Sequence, residues 1–300
     1  MPKRREGRRP DRPSPGADSN CYHPRVPLAS LVASPLVLVL AGGLTGLVGA
    51  MLGLGGGVFL VPLLTLGLGV PIRAAVAASL ISVIATASAS STVHLEKGLV
   101  NMRLGLALEV ATTIGGLAGG LAASLFTTRQ LFLLFGATLG VMGVVMGLRS
   151  GRRNVIADLT VDPGRLGGRL REGETSYVYR VRRLPVAYGS SLLAGAISGL
   201  LGLGGGIVKV PILNTFCGVP IRVASSTSAF MIGVTAAASA FIYYGRGDVN
   251  LPLTAAIALG ALPGSLLGAR LSHQVETRWL KVFMAAILLA VGGQMAWKAL

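Results

Sequence analysis

Acidic residues are scarce in this 300-residue chain, eleven Asp and Glu against 27 Lys and Arg, and aromatic residues make up only 5 % of it. Cys21 and Cys217 are the two cysteines, too few for a disulfide framework and without metal-site spacing. No paired carboxylates, serine triad or cluster of His, Cys and carboxylates stands out. The sequence therefore points to neither an enzyme nor a metal or other cofactor. The formal charge of +16 does not point to nucleic acid, because the basic stretches lack aromatic interleaving and any nucleic-acid module signature. Residues 1–25 hold seven basic and three acidic residues, and 149–183 hold nine and four. Arginines so placed set membrane topology and meet anionic lipid headgroups.

Long stretches lack charge altogether. None occurs from Val26 to Ile72, nor in Ala74–Leu95, Val110–Thr128, Gln130–Leu148, Leu184–Val208, Val223–Gly245 or Val249–Ala269. Runs of about 18 or more such residues can cross roughly 30 Å of hydrocarbon. With 52 % apolar residues and 43 glycines, the composition is that of a membrane protein. The Pro-, Arg- and Gly-rich start reads as a disordered tail over 1–27. The first apolar run is read as a retained span and not a cleaved signal, because its end belongs to a repeat.

That repeat organises the chain. Each position from Gly46 to Gly119 has its counterpart 149 residues later without a gap, and 29 of these 74 positions are identical. "GLVGAMLGLGGGVFLVP" returns as "GAISGLLGLGGGIVKVP", "GVPIR" ends at Arg73 and at Arg222, and Asn101 recurs as Asn250. Two membrane halves are expected, 28–148 and 184–300, joined by a basic loop over 149–183. Each is read as a helix (about 30–52 and 184–201), a glycine- and proline-interrupted piece (53–70 and 202–219) and three helices (74–95, 102–127, 130–148; 223–244, 250–271, 279–298). If the interrupted piece crosses, each half has five spans and the halves are inverted. If it re-enters, each has four and they are parallel. Counting every Lys and Arg outside the spans gives 20 against 6 for the four-span arrangement and 11 against 15 for the five-span one. The expectation is an all-α polytopic protein of about eight crossings plus two glycine-broken re-entrant segments, with amino terminus and central loop both cytoplasmic.

An unwound backbone in hydrocarbon is tolerated only where protein or a water-lined cavity satisfies it. Glycine allows left-handed backbone and close approach to a ligand, and a helix starting after it offers N–H groups to an anion. Gly55, Gly56 and Gly57, with Gly204, Gly205 and Gly206, are therefore candidate substrate-binding residues. Gly115/Gly119 and Gly264/Gly268, at GxxxG spacing, are read as helix-packing positions. Lys209 stands where the first copy has Leu60; it contacts substrate, pairs with Glu109 or snorkels to the interface. Glu109 itself is read as a proton-coupling group or as half of an interfacial pair with Arg103. Ser79/Ser228 and Thr86/Thr235 recur at matching positions, seven apart on one helix face, and can bond an anion's oxygens or simply the helix backbone. Asn214 is a weaker candidate.

The duplicated "GLGGGxxxVP", "GVPIRxAxxxS" and "KG" or "RG" followed by "VN" resemble the sulfite exporter TauE/SafE family over about 30–300. The resemblance implies an inner-membrane permease for small anions, notably sulfite, sulfonates and related sulfur-containing organic acids. It carries the glycine breaks and the hydroxyl-bearing helices onto Gly53–Gly57, Gly202–Gly206, Ser79 and Ser228. A transporter or facilitator of small anions is the function expected, in contact with membrane lipid and not nucleic acid. The alternative from another class is a non-transporting membrane scaffold that docks partners on its basic loop.

Overall fold

The computed structural model describes residues 35–148, 164–172, 175–272 and 277–299. Helix α1 spans Pro35–Leu52. After a break come the one-and-a-half-turn α2, Gly57–Pro62, and a π-helical continuation, Leu63–Gly67. Long helices follow: α3 (Ile72–Glu96), α4 (Met102–Ala122, continued by a 3-10 turn at Ala123–Leu125) and α5 (Thr128–Leu148). Strands β1 (Gly168–Glu172) and β2 (Thr175–Tyr179) form an antiparallel hairpin with Gly168 opposite Tyr179. Then come α6 (Leu184–Leu201), α7 (Gly206–Thr215), α8 (Ile221–Gly245), α9 (Leu251–Leu271) and α10 (Thr277–Ala299). The architecture is helical as expected, with the hairpin as an addition that the basic loop gave no sign of. The expected tail over 1–27 lies outside the described residues, as does 149–163 of the loop.

Local signals explain the boundaries. Pro71 and Pro220 hold extended backbone immediately before α3 and α8. The recurring "VN" is a capping signal: Asn101 Oδ1 accepts from the Leu104 N–H at 3.0 Å and Asn250 Oδ1 from the Leu253 N–H at 3.2 Å. Six helices, α1, α3, α4 with its 3-10 turn, α6, α8 and α9, are long and apolar enough to cross a membrane. Of these, α3 and α8 are buried over 67 % and 61 % of their most apolar window against 39–44 % for the other four, which puts them at the centre. The outer helices turn residues such as Leu44, Leu106, Val110 and Leu259 outward, the apolar surface that lipid covers.

Small residues fix which helices pair and in which direction. Along α1 and α9, Gly260 abuts the Val39 carbonyl, Gly264 that of Gly43 and Gly268 that of Leu47, so the two helices run the same way. Along α4 and α6, Gly115 abuts Leu192 and Gly119 abuts Ala196, again in parallel. Both GxxxG pairs are thus packing positions, as expected. Their partners are a finding: the first helix of each half lies along a helix of the other, so the halves interlock.

The central helices run oppositely. Helix α4 follows α8, with Gly105 against Thr227 and Met231, Gly116 against Thr235 and Gly120 against Ile242. Since the short turn at 97–101 reverses α3 into α4, α3 is antiparallel to α8. One end of the molecule therefore gathers the starts of α3 and α9 and the ends of α4 and α8. There Arg73 donates to the Phe126 carbonyl at 3.2 Å and Arg246 to those of Gly120 and Leu121 at 2.9 and 2.8 Å. The other end carries the α3–α4 turn, the start of α8 and the hairpin, joined where Asn101 Nδ2 donates to the Leu166 carbonyl at 2.8 Å and to the Tyr179 hydroxyl at 2.9 Å.

These directions do not bear out the expected parallel, re-entrant arrangement. Helices α1 and α3 both run from the Arg73 end toward the hairpin end, so residues 53–71 must return between them. Consistently, Lys298 Nζ, at the end of α10, donates to the Thr65 carbonyl at 2.7 Å. The start of α1 and the central hairpin lie at opposite ends of the described residues. The charge tally weighted distant tail residues equally with those flanking the spans, whereas topology responds to charges within about 15–20 residues of a span.

Candidate functional site

The two glycine runs meet beside the middles of α3 and α8. Gly55 and Gly56 have φ of +77° and +78°, and Gly204 and Gly205 +73° each, a left-handed backbone that a side chain would strain. The chain reverses so tightly that Gly56 lies on Gly49. Gly56 and Gly205 then start α2 and α7, and neither helix start is capped by a side chain. Gly57 abuts the Gly202 carbonyl and the Ser79 hydroxyl, while Gly206 abuts the Gly53 carbonyl and the Ser228 hydroxyl. All six candidate glycines are buried at this junction.

The four candidate hydroxyls divide in two ways. Ser79 on α3 donates to the Gly202 carbonyl at 2.8 Å and Thr86 to the Gly55 carbonyl at 2.9 Å, so these two hold the opened backbone. On α8, the buried Ser228 hydroxyl has no hydrogen-bond partner among the described residues, and Thr235 donates to Glu109 Oε1 at 2.8 Å. Glu109 Oε1 also accepts from Thr113 at 3.1 Å, while Oε2 is buried without a partner among the described residues. Arg103 is exposed and makes no interfacial pair with it among the described residues.

Lys209 is fully buried on α7, which removes the snorkelling reading. Its side chain reaches Met231 Sδ at 4.0 Å, and no carboxylate comes within ion-pair distance of it among the described residues. Glu109 acts on it only through space, in surroundings where charges interact strongly. An ammonium whose one hydrogen-bond contact among the described residues is a thioether is costly to bury and is suited to receive an anion. Asn214 serves the turn after α7, donating to the Val219 carbonyl at 3.0 Å. The link from Glu109 to Thr235, one residue from each half, had no sequence signal beyond the isolated charge. At the Arg73 end, burial pushes the Asp248 carboxyl above its ordinary range against the pull of Arg73 and Arg246.

Long apolar helices paired through glycines around opened backbone and a buried ammonium define a polytopic membrane protein with a polar centre. The chain belongs to the Sulfite exporter TauE/SafE family, whose pattern it matches over residues 38–295. It is 25 % identical over 279 residues to the "Probable membrane transporter protein YunE" of Bacillus subtilis, covering 88 % of this chain and 98 % of that one. A "Probable membrane transporter protein" of Xylella fastidiosa is 26 % identical over 272 residues, covering 89 % and 97 %. One from Methanocaldococcus jannaschii is 24 % identical over 277 residues, covering 87 % and 95 %. No solved structure matches the chain significantly. The family is one of membrane transporters that take small molecules.

Proposed function

We propose that the protein is a secondary transporter or facilitator of small anions, of which sulfite, sulfonates and related sulfur-containing organic acids are the class to test. The observation that carries this reading is the fully buried Lys209 ammonium beside the second glycine run, with no carboxylate at pairing distance. Nearby, Ser228 has a hydroxyl with no hydrogen-bond partner among the described residues. An anion bridging the two would supply what each lacks, with the Gly55–Gly57 and Gly204–Gly206 backbone lining its seat and Thr235 reaching it through Glu109. Ser79 and Thr86 fix that backbone and are positioning residues.

In the same reading the two halves are an inverted pair of five crossings each, the broken segments crossing as discontinuous helices. Such repeats place a substrate near the midplane and open alternately to either side. Fifteen Lys and Arg flank the spans at the hairpin end (Lys97, Arg103, nine in 149–183, Arg222, Arg270, Arg278 and Lys281) and five at the other (Arg25, Arg73, Arg129, Arg246 and Lys298). The hairpin end is then cytoplasmic and the amino terminus outside. Uptake of labelled sulfite, taurine and sulfoacetate into proteoliposomes tests the reading. It expects flux of at least one that Lys209→Met removes, and absence of flux for every small anion tried would sink it.

A further inference from the structure

The molecule's two ends are built from positions 149 residues apart, yet they are chemically different. At the hairpin end a cavity of about 10 Å³, room for roughly one water, is lined by Met51, His94, Leu99, Arg222, Ser225, Ser226 and Ser272. The corresponding positions at the other end are Leu200, Tyr243, Asp248, Arg73, Val76, Ala77 and Ala123. Only the arginine is kept. An imidazole and three hydroxyls at one end face a phenol, a carboxyl and three aliphatic side chains at the other. Tyr243 is buried and closes its end by donating to the carbonyls of Gly199 and Leu200 at 3.1 and 3.2 Å.

The polar end also connects inward. Ser225 packs directly on Gly53, the first residue of the first break, and the Gly53 carbonyl lies on Gly206, which touches the Ser228 hydroxyl. At the other end the matching neighbour of Gly202 is the apolar Val76. Buried serines and a histidine beside a water-sized space are not needed for packing, since Val76, Ala77 and Ala123 pack the equivalent place without them.

We infer that His94, Arg222, Ser225, Ser226 and Ser272 form an anteroom through which small oxyanions, sulfonates among them, reach the glycine junction from the hairpin end, and that Tyr243 is the gate that closes the opposite end. The choice of an anion rests on the function proposed above. The difference between the ends does not.

The test uses the full chain carrying Cys21→Ser and Cys217→Ala, purified in detergent so that both ends meet reagent. Single cysteines are placed by Ser226→Cys and Ala77→Cys. Each is treated with 2-sulfonatoethyl methanethiosulfonate, itself a sulfonate, and with the trimethylammonioethyl analogue, rates being normalised to those on a free thiol. The anteroom requires Ser226→Cys to react with the sulfonate at least tenfold faster than Ala77→Cys, and in preference to the cation. Equal rates at the two positions overturn the anteroom, and equal or greater reaction with the cation overturns its anion selectivity. Adding Tyr243→Ala should speed modification of Ala77→Cys at least tenfold. Tyr243→Phe, which deletes only the two hydroxyl bonds, should speed it less and serves if the alanine variant does not fold. No acceleration by the folded variant overturns the gate. Because labelling needs no turnover, a transport reading that fails in proteoliposomes leaves these rates unchanged, and the two failures are told apart.

Discussion

The Ser79 hydroxyl donates to the carbonyl of Gly202 across the centre of the molecule at 2.8 Å, whereas Ser228, its counterpart 149 residues on, has no partner among the described residues. One hydroxyl of the pair is structural and the other is left available. Ser79→Ala should therefore lower stability by about 1 kcal/mol, the scale of a buried hydrogen bond, and reduce Tm. Ser228→Ala should leave Tm within error and weaken anion binding. Thermal unfolding in detergent with and without sulfite measures both, and the reverse pattern would reassign the two serines.

Lys209 separates function from stability in the same way. Lys209→Met replaces a buried charge by an apolar chain of similar length, a change that is often neutral or stabilising at a site without a paired partner. The expected result is an unchanged or higher Tm together with at least a tenfold loss in anion affinity. A lower Tm with intact binding would make the lysine structural. Glu109→Gln in the same background shows whether the two charges work together, since independent sites give additive effects.

Glycine substitutions should fail for different reasons at different places. Gly119→Ala puts a methyl group into the Ala196 carbonyl where α4 meets α6, so folded yield should fall steeply. Gly69, at φ +65° with open space around it, should accept alanine at about 1–2 kcal/mol and keep activity. Gly205→Ala combines a left-handed backbone with a carbonyl 3.2 Å away at the junction itself. It should yield some folded protein that does not bind anion. Size-exclusion yield and binding, taken together on the three variants, check this ordering.

Sidedness has a direct readout. Native Cys21 precedes α1, and Ser176→Cys lies in the hairpin at the other end, while Cys217 is fully buried and should stay silent. A membrane-impermeant maleimide should label Cys21 in intact cells and the residue-176 thiol only in inverted vesicles. Labelling of both from one side would contradict the antiparallel relation of α3 and α8.

The sequence alone carried the membrane character, the helices, the 149-residue duplication, the capping asparagines and the packing glycines, because each depends on neighbours within a few turns of chain. The glycine breaks were legible too, since unwound backbone between apolar runs requires residues that tolerate it. What it did not decide was direction. Whether the segment after each break crosses or re-enters depends on which helices lie side by side, and charge counting is a weak proxy when a long tail and a long loop carry most of the charge. Only the tertiary contacts, Gly105 on Thr227 and Gly264 on Gly43 among them, set α3 against α8 and interlocked the halves. They also gave identical residues different work, tying Ser79 to Gly202 and leaving Ser228 without a partner among the described residues, because Ser79 finds its partner 123 residues away and not in local sequence.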